Sequence, residues 1–286
     1  MNRDDELGIV RRAFAKQIVH AARAEDPRFE KALAALRRED FLSPGPWQLM
    51  RFPGGYQQTP DDDPVYLYQD CPVAILPEKG LNNGQPSFLT SLLALGRLRD
   101  GERAVHIGTG TGYYTAVISH LVGAAGRVTG IEREPDLAAR ARANLRSCAN
   151  VQIVEGDGSA LPLEPADVIF VNAGASRPAD PWLDALNDGG RMVLPLTVSY
   201  TGEDGRQMTR GGVFLIERQA DGFLARAKST TYIYPCAGAR DAASEAALQA
   251  AFEKGNVAKV TRLYRTDDIP EERCWLRAPG WSLAYD

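Results

Sequence analysis

The chain has 286 residues and carries 33 Lys and Arg against 37 Asp and Glu. That length buries a full core in one or two domains, and the near-balance of charge leaves no electrostatic footprint for nucleic acid. No apolar run approaches the roughly 20 residues that span a bilayer, and the acidic start MNRDDELG has no apolar signal region.

Taken in chain order, residues 8–24 place Ile9, Val10, Phe14, Ile18 and Ala21 at helical spacing. A second helix is predicted from Pro27, after an Asp26 cap, through Phe29, Leu33 and Leu36. Residues 43–64 are rich in Pro, Gly and Asp and read as a long irregular loop, the length class that includes functional covers. Pro86 suits the first turn of a helix reaching about Leu98. Strands are then predicted at 103–107, 127–131, 151–154, 167–171 and 191–195, with helices at 112–122, 135–147 and 179–187. This alternation argues for an α/β fold with a doubly wound, mostly parallel sheet covered on both faces. Past Gly211, two extended runs flank Asp221-Gly222, a hairpin signal. A helix near 242–254 and a strand at 260–264 close the chain. The expected organisation is an N-terminal helical region (1–98), a core (99–240) and a C-terminal extension (241–286). That extension carries Trp275, Leu276, Trp281 and Tyr285, too much apolar surface for a solvated tail. The four cysteines, Cys71, Cys148, Cys236 and Cys274, form no CxxC pair. They read as reduced thiols of a cytoplasmic protein, with no metal site.

The stretch VHIGTGTGYYTAVISHLV (105–122) runs strand, glycine loop, helix. Such a loop lets backbone approach a ligand and points helix N–H groups at it, although a tight connection with no ligand has the same pattern. Tyr113 stands where the dinucleotide fingerprint G-x-G-x-x-G needs its third glycine, and no Gly-Lys-Ser/Thr follows for a P-loop. Glu132 ends the second strand, where a carboxylate can accept both ribose hydroxyls. Asp157 follows the third strand beside Gly156 and Gly158, where it can accept from an adenine amino group. A strand-end acid is also an ordinary solvated turn residue, and Asp157-Gly158 is also plain turn chemistry. Three such features at consecutive strand ends favour a nucleoside ligand.

At these residues the sequence resembles the class I S-adenosylmethionine-dependent methyltransferases, and among them the protein-L-isoaspartate O-methyltransferases, over roughly residues 10–238. IGTGTGYYTAVIS looks like that family's nucleotide loop, GIERE like its ribose-binding strand end and EGDG like its adenine-binding turn. ALAALRREDFLSP is similar to its opening helix, which ends in an Arg-Glu-x-Phe segment. Residues 166–196 are similar to its fourth strand, helix and fifth strand, and 211–235 to its closing hairpin. The resemblance implies a seven-stranded, Rossmann-like sheet whose last strand is antiparallel. It implies S-adenosylmethionine as cofactor, held by Gly108, Thr109, Gly110, Gly112, Tyr113, Glu132, Asp157 and Gly158. The reaction implied is methyl transfer to a carboxylate of a protein, peptide or small molecule, with no nucleic-acid or membrane partner.

A carboxylate is already ionised at pH 7, so no general base is required, no catalytic side chain is assigned, and the three histidines need no catalytic role. The sequence departs from the family in three places. His106 replaces an acidic residue before the loop, a change read as packing. YIYPCAGARD (232–241) replaces the family's Val-Pro-Leu ending. Before the substrate-side helix the family carries Thr-Ile-Ser-Gln-Pro, its serine tied to the isoaspartyl site. Here Asn82, Asn83, Gly84 and Gln85 precede Pro86, so Gly84 takes the serine's place. These four form the candidate acceptor segment, and the expectation is weak methylation of a standard isoaspartyl peptide, which Gly84→Ser would raise if it changed it. Two other classes remain in view: a cofactor-binding module that has lost catalysis, and an NAD-dependent oxidoreductase.

Overall fold

The computed structural model describes residues 2–51, 54–201 and 207–286. Phe52 and Pro53, within the stretch expected to be an irregular loop, lie outside the described residues, as does part of the run before the closing hairpin. In chain order the elements are α1 (Arg3–Ala22), α2 (Arg28–Ala35), β1 (Gln48–Arg51), β2 (Gly55–Gln58), β3 (Ala74–Leu76), β4 (Leu81–Asn82) and α3 (Pro86–Leu95). There follow β5 (Arg103–Ile107), α4 (Tyr113–Val122), β6 (Arg127–Glu132), α5 (Pro135–Asn144), β7 (Val151–Glu155), β8 (Ala166–Val171), α6 (Asp180–Ala185) and β9 (Leu186–Thr201). The chain ends with β10 (Gln207–Gln219), β11 (Gly222–Tyr232), α7 (Ala242–Lys254), β12 (Arg262–Tyr264), β13 (Cys274–Ala278) and β14 (Trp281–Ala284).

Contacts divide the chain into two compact units: residues 1–102 with 109–156, and residues 103–108 with 157–286. In the first, Asn2 caps α1 by accepting from the Asp5 N–H at 2.9 Å, above an acidic first turn that suits the helix dipole. Asp26 accepts from the Arg28 N–H at 2.9 Å, as its position before Pro27 predicts. The Arg28 guanidinium donates to Leu98 O at 2.5 Å and Leu121 O at 2.8 Å, tying α2 to the end of α4. β6 and β7 pair in parallel.

The described residues of the 43–64 stretch carry more regular structure than their composition predicts. β1 and β2 form an antiparallel hairpin, and Trp47 and Leu49 pack with Leu67, Cys71 and Val73 in a small core of their own. Proline and glycine content signals turns, but it does not reveal that Trp47 and Leu49 find their partners well beyond the next turn.

The second unit holds a continuous sheet in the order β13-β14-β12-β11-β10-β9-β8-β5. β5, β8 and β9 are parallel. The reversed strand of the expected seven is β10, antiparallel to both β9 and β11; β11, expected to be the reversed one, runs with the parallel set. Two successive hairpins reverse the chain twice, which accounts for the change. β12, β14 and β13 then continue the sheet beyond those seven strands. Trp275 and Trp281 are 2% and 4% exposed, and their indole N–H groups donate to Gly255 O and Ser244 Oγ. Residues 242–286 thus bury the aromatic surface that a tail would have exposed. Among the described residues no helix is long and apolar enough to cross a membrane, and no His, Cys, Asp or Glu cluster could hold a metal ion.

Candidate active site

Within the first unit the glycine loop is fixed from below by β6. Thr109 N donates to Ile131 O at 3.2 Å. Gly130 lies beneath it, where a Cβ would stand 2.6 Å from Thr109 Oγ1, so the strand carries a glycine to let the loop settle. Gly110 has φ +59° and faces Ile75, whose methyl would be 3.4 Å from an added Cβ. Gly112, at φ +97°, is the residue before α4, and a Cβ there would meet Leu145 Cδ1 at 2.7 Å. Both backbone freedom and close approach therefore require glycine at this position.

Glu132 is 7% exposed. Oε2 accepts from Gly110 N at 2.7 Å and Oε1 from Glu134 N at 3.0 Å. Burial pushes its pKa up from the ordinary carboxylate value, and the backbone N–H groups of Glu134, Gly110 and Arg133 oppose that shift. Each oxygen keeps acceptor capacity for a ligand hydroxyl. Glu134 in turn pairs with Lys79, and Arg140 donates to Ile75 O at 3.2 Å, so the β3–β4 segment is tied to the loop and α5.

Tyr113 turns its side chain inward. Its ring packs edge-on against Phe41 at 5.3 Å and Tyr114 at 5.1 Å, and burial raises its pKa to about 12. The Arg38 guanidinium lies 5.5 Å from this ring and 5.2 Å from that of Phe14. Arg38 is 1% exposed and, among the described residues, none of its side-chain nitrogens has a hydrogen-bond partner. What Tyr113 offers the loop is therefore its backbone, seated by Arg38 and Phe41 of the Arg-Glu-x-Phe segment. Sequence reasoning placed that segment only by resemblance; the signal was a cation and an aromatic three positions apart, opposite an aromatic after the glycines.

In the second unit, Gly108 has φ +79°, and Asn172 holds the end of β5 through Asn172 N to Ile107 O at 2.8 Å and Asn172 Nδ2 to Gly108 O at 3.2 Å. Asp157 Oδ1 accepts from Ser159 N at 2.9 Å and Ser159 Oγ at 2.6 Å, and Gly158 O accepts from the Trp182 indole at 2.7 Å. An added Cβ on Gly238 would stand 2.1 Å from Asp157 Oδ2. Main chain far along the sequence therefore walls this carboxylate, which the EGDG pattern alone gave no means of finding. His106, on β5, is 1% exposed, and burial lowers its pKa to about 4. That agrees with the packing role expected of it.

In the acceptor segment, Asn82 Oδ1 accepts from Gly84 N and Asn83 Oδ1 from Val73 N, both at 2.8 Å. These bonds use acceptors, and among the described residues neither amide NH2 group makes a hydrogen bond, so each can donate to a carboxylate. Gln85 Nε2 instead donates to Asp70 Oδ2 at 3.1 Å. Gly84 has φ +77°, and a Cβ would lie 2.9 Å from Leu89 Cγ. Restoring the family's serine here meets strain as well as opportunity.

The family model described as protein-L-isoaspartate(D-aspartate) O-methyltransferase (PCMT) matches residues 13–236. The chain belongs to this family. Protein-L-isoaspartate O-methyltransferase 2 of Archaeoglobus fulgidus is 34% identical over 175 residues, covering 60% of this chain and 79% of that one. Protein-L-isoaspartate O-methyltransferase 1 of the same organism is 40% identical over 142 residues, and the Ignicoccus hospitalis enzyme 39%. Those two matches span 48% of this chain and just under two thirds of the relatives, 65% and 66%. A solved protein-L-isoaspartate O-methyltransferase superposes with TM-score 0.64 at 21% identity, over 96% of this chain and 88% of that one. A Plasmodium falciparum family member in complex with S-adenosyl-L-homocysteine gives TM-score 0.59 at 18% identity, over 79% and 97%. The fold is therefore that of the class I methyltransferases.

Proposed function

We propose that this chain is an S-adenosylmethionine-dependent O-methyltransferase acting on a carboxylate of a protein, a peptide or a small molecule. The observation that carries the reading is Glu132: a buried carboxylate at a strand end, oriented by the Gly110 N–H and retaining lone pairs for two ribose hydroxyls. The cofactor supplies the methyl group on a sulfonium. In this reading Glu132 holds the ribose, Asp157 accepts from the adenine amino group, and residues 108–113 and 158 supply close backbone. The Asn82 and Asn83 amides orient the acceptor oxygen. Because that oxygen is already charged, the protein's contribution is alignment and exclusion of water, which can supply most of the rate. Residues 99–240 form the cofactor core in this proposal, 1–98 the acceptor side and 241–286 an extension. Four free cysteines fit a reducing cytoplasm.

The test is transfer of labelled methyl groups to an isoaspartyl peptide, its aspartyl twin, and protein and small-molecule extracts. Label in none of them, with S-adenosylhomocysteine bound tightly, would leave the binding-module reading, which Gly84 favours. The oxidoreductase reading has no such support: Tyr113 is core, and the third-glycine position it occupies is packed by aromatic rings.

A further inference from the structure

We infer that Gly238 is a positioning residue for the Asp157 carboxylate, given the role of Asp157 proposed above. Through it the strap of residues 234–239 sets the preference of the nucleoside pocket for an adenine amino group. Gly238 is exposed, and its φ lies outside the left-handed region that favours glycine, so conformation alone does not call for glycine. What excludes a side chain is space. An added Cβ would stand 2.1 Å from Asp157 Oδ2, 2.2 Å from Oδ1 and 2.3 Å from Ser159 Oγ. A point nearly equidistant from the two oxygens faces the open end of the carboxylate, so the main chain at 238 lies across it. Ser159 N and Oγ both donate to Oδ1, at 2.9 and 2.6 Å. Oδ2 is left to receive a ligand donor, bounded on one side by the strap.

The strap is the fixed member of this contact. Gly174 N donates to Tyr234 O at 2.7 Å, Cys236 N to Gly174 O at 2.9 Å and Ser176 N to Ala239 O at 2.9 Å. These backbone bonds lace it to the turn after β8. Burial pushes the Cys236 thiol up, the Ala239 N–H opposes that shift, and the Asp157 charge adds to it. Thiol and carboxylate thus share one electrostatic neighbourhood. The Asp157 carboxylate, by contrast, turns about its side-chain torsions and is held among the described residues by Ser159. A methyl group at position 238 therefore displaces the carboxylate rather than the strap. A pocket built to hydrogen-bond a ligand group rejects an analogue that lacks it, and a carbonyl in place of the adenine amine would face the carboxylate with a second acceptor. In this way the segment that replaces the family's Val-Pro-Leu ending serves the cofactor's base.

The test is calorimetry on the full chain with S-adenosylhomocysteine and with its inosine counterpart, which carries a carbonyl in place of the amino group. The parent should bind the adenosine compound more tightly. Gly238→Ala should weaken that compound about tenfold, leave the inosine compound nearly unchanged, and keep the parental melting temperature. In an Asp157→Ala background Gly238→Ala should weaken binding no further, because a residue that acts through another has no effect once that other is gone. Unchanged affinity in Gly238→Ala, an equal loss of both compounds, or an equal loss with and without Asp157 would overturn the role of Gly238. So would a marked fall in melting temperature, since the strap would then be the part that gives way. If Asp157→Ala itself spares the adenosine compound, the adenine role of Asp157 falls and Gly238 falls with it. If Asp157→Ala weakens binding and Gly238→Ala does not, Gly238 alone falls.

Discussion

Two short segments of the first unit use the same backbone device for different ends. Gly112 and Gly84 both take positive φ, +97° and +77°, and each stands within two residues of the start of a helix, α4 or α3. In both, an added Cβ would strike a leucine, Leu145 or Leu89. Around Gly112 the polar groups converge, since Gly110 N orients Glu132 and Glu132 still has lone pairs to give. Around Gly84 the polar groups are already partly committed, to Val73, to Asp70 and to the turn itself. In the proposed reading the first segment is the one arranged for the cofactor, with Glu132 oriented by Gly110 N. The second is shaped by Val73, Asp70 and Leu89, and under the proposed function it is the segment that meets the acceptor.

The largest expected effect falls on β5, the strand that delivers the glycine loop. His106 is neutral in the folded chain down to about pH 4, against 6.5 for an ordinary imidazole. Between those values the unfolded chain binds a proton that the folded one refuses, so stability is full above about pH 6.5 and falls as pH drops towards about 4. At 1.36 kcal/mol per unit the loss is about 3 kcal/mol. Urea unfolding across this window should show the acid slope in the parent and a shallower one in His106→Gln. Parallel slopes would mean that the loop's supporting strand does not titrate as its burial requires.

Next comes Glu132, proposed to hold the ribose. Glu132→Ala removes a charged acceptor worth about 1.5–3 kcal/mol, so S-adenosylhomocysteine affinity should fall about tenfold to a hundredfold by calorimetry. Unchanged affinity would erase the contrast between the two segments, because neither would then be prepared for a ligand.

The same contrast explains what the sequence could disclose. Strand, loop and helix around 105–122 were legible because periodicity and glycine spacing are local. The positions of Glu132 and Asp157 at and just past strand ends were legible because strand boundaries follow from local pattern. The hairpin at 48–58 was not, since Trp47 and Leu49 are organised by Leu67 and Val73. Arg38 and Gly238 were not either: their significance comes from Tyr113 and Asp157, each far away along the chain. A contact between distant residues leaves no period in a single sequence.

Gly84→Ser sharpens the comparison from the other side. A non-glycine residue at this φ costs about 1–2 kcal/mol, and contact with Leu89 adds to it. The variant should unfold at lower urea and should gain no methylation of an isoaspartyl peptide, contrary to what the family's serine alone leads one to expect. A serine variant that kept parental stability and methylated that peptide faster would show that Gly84 is a plain loss of the family residue.

The smallest effect is also the most discriminating. Asn82 does two separable things: Oδ1 accepts from Gly84 N at 2.8 Å, which builds the turn, while Nδ2 remains available to a carboxylate. Asn82→Asp keeps the first and inverts the second, because an aspartate offers the same acceptor to Gly84 N but places negative charge where the donor stood. Like charges at a half-buried site repel by an amount on the order of 1.4 kcal/mol. The KM for the carboxylate acceptor found in the labelled-methyl assay should therefore rise about tenfold, and less at high salt, where the repulsion is screened. Urea stability and S-adenosylhomocysteine affinity should stay near parental values, because the turn and the glycine loop are untouched. Asn82→Ala, which breaks the turn, should instead lower stability along with activity. If the aspartate variant turned over the acceptor with an unchanged KM, Asn82 would be a turn residue only, and the acceptor carboxylate would have to be held elsewhere.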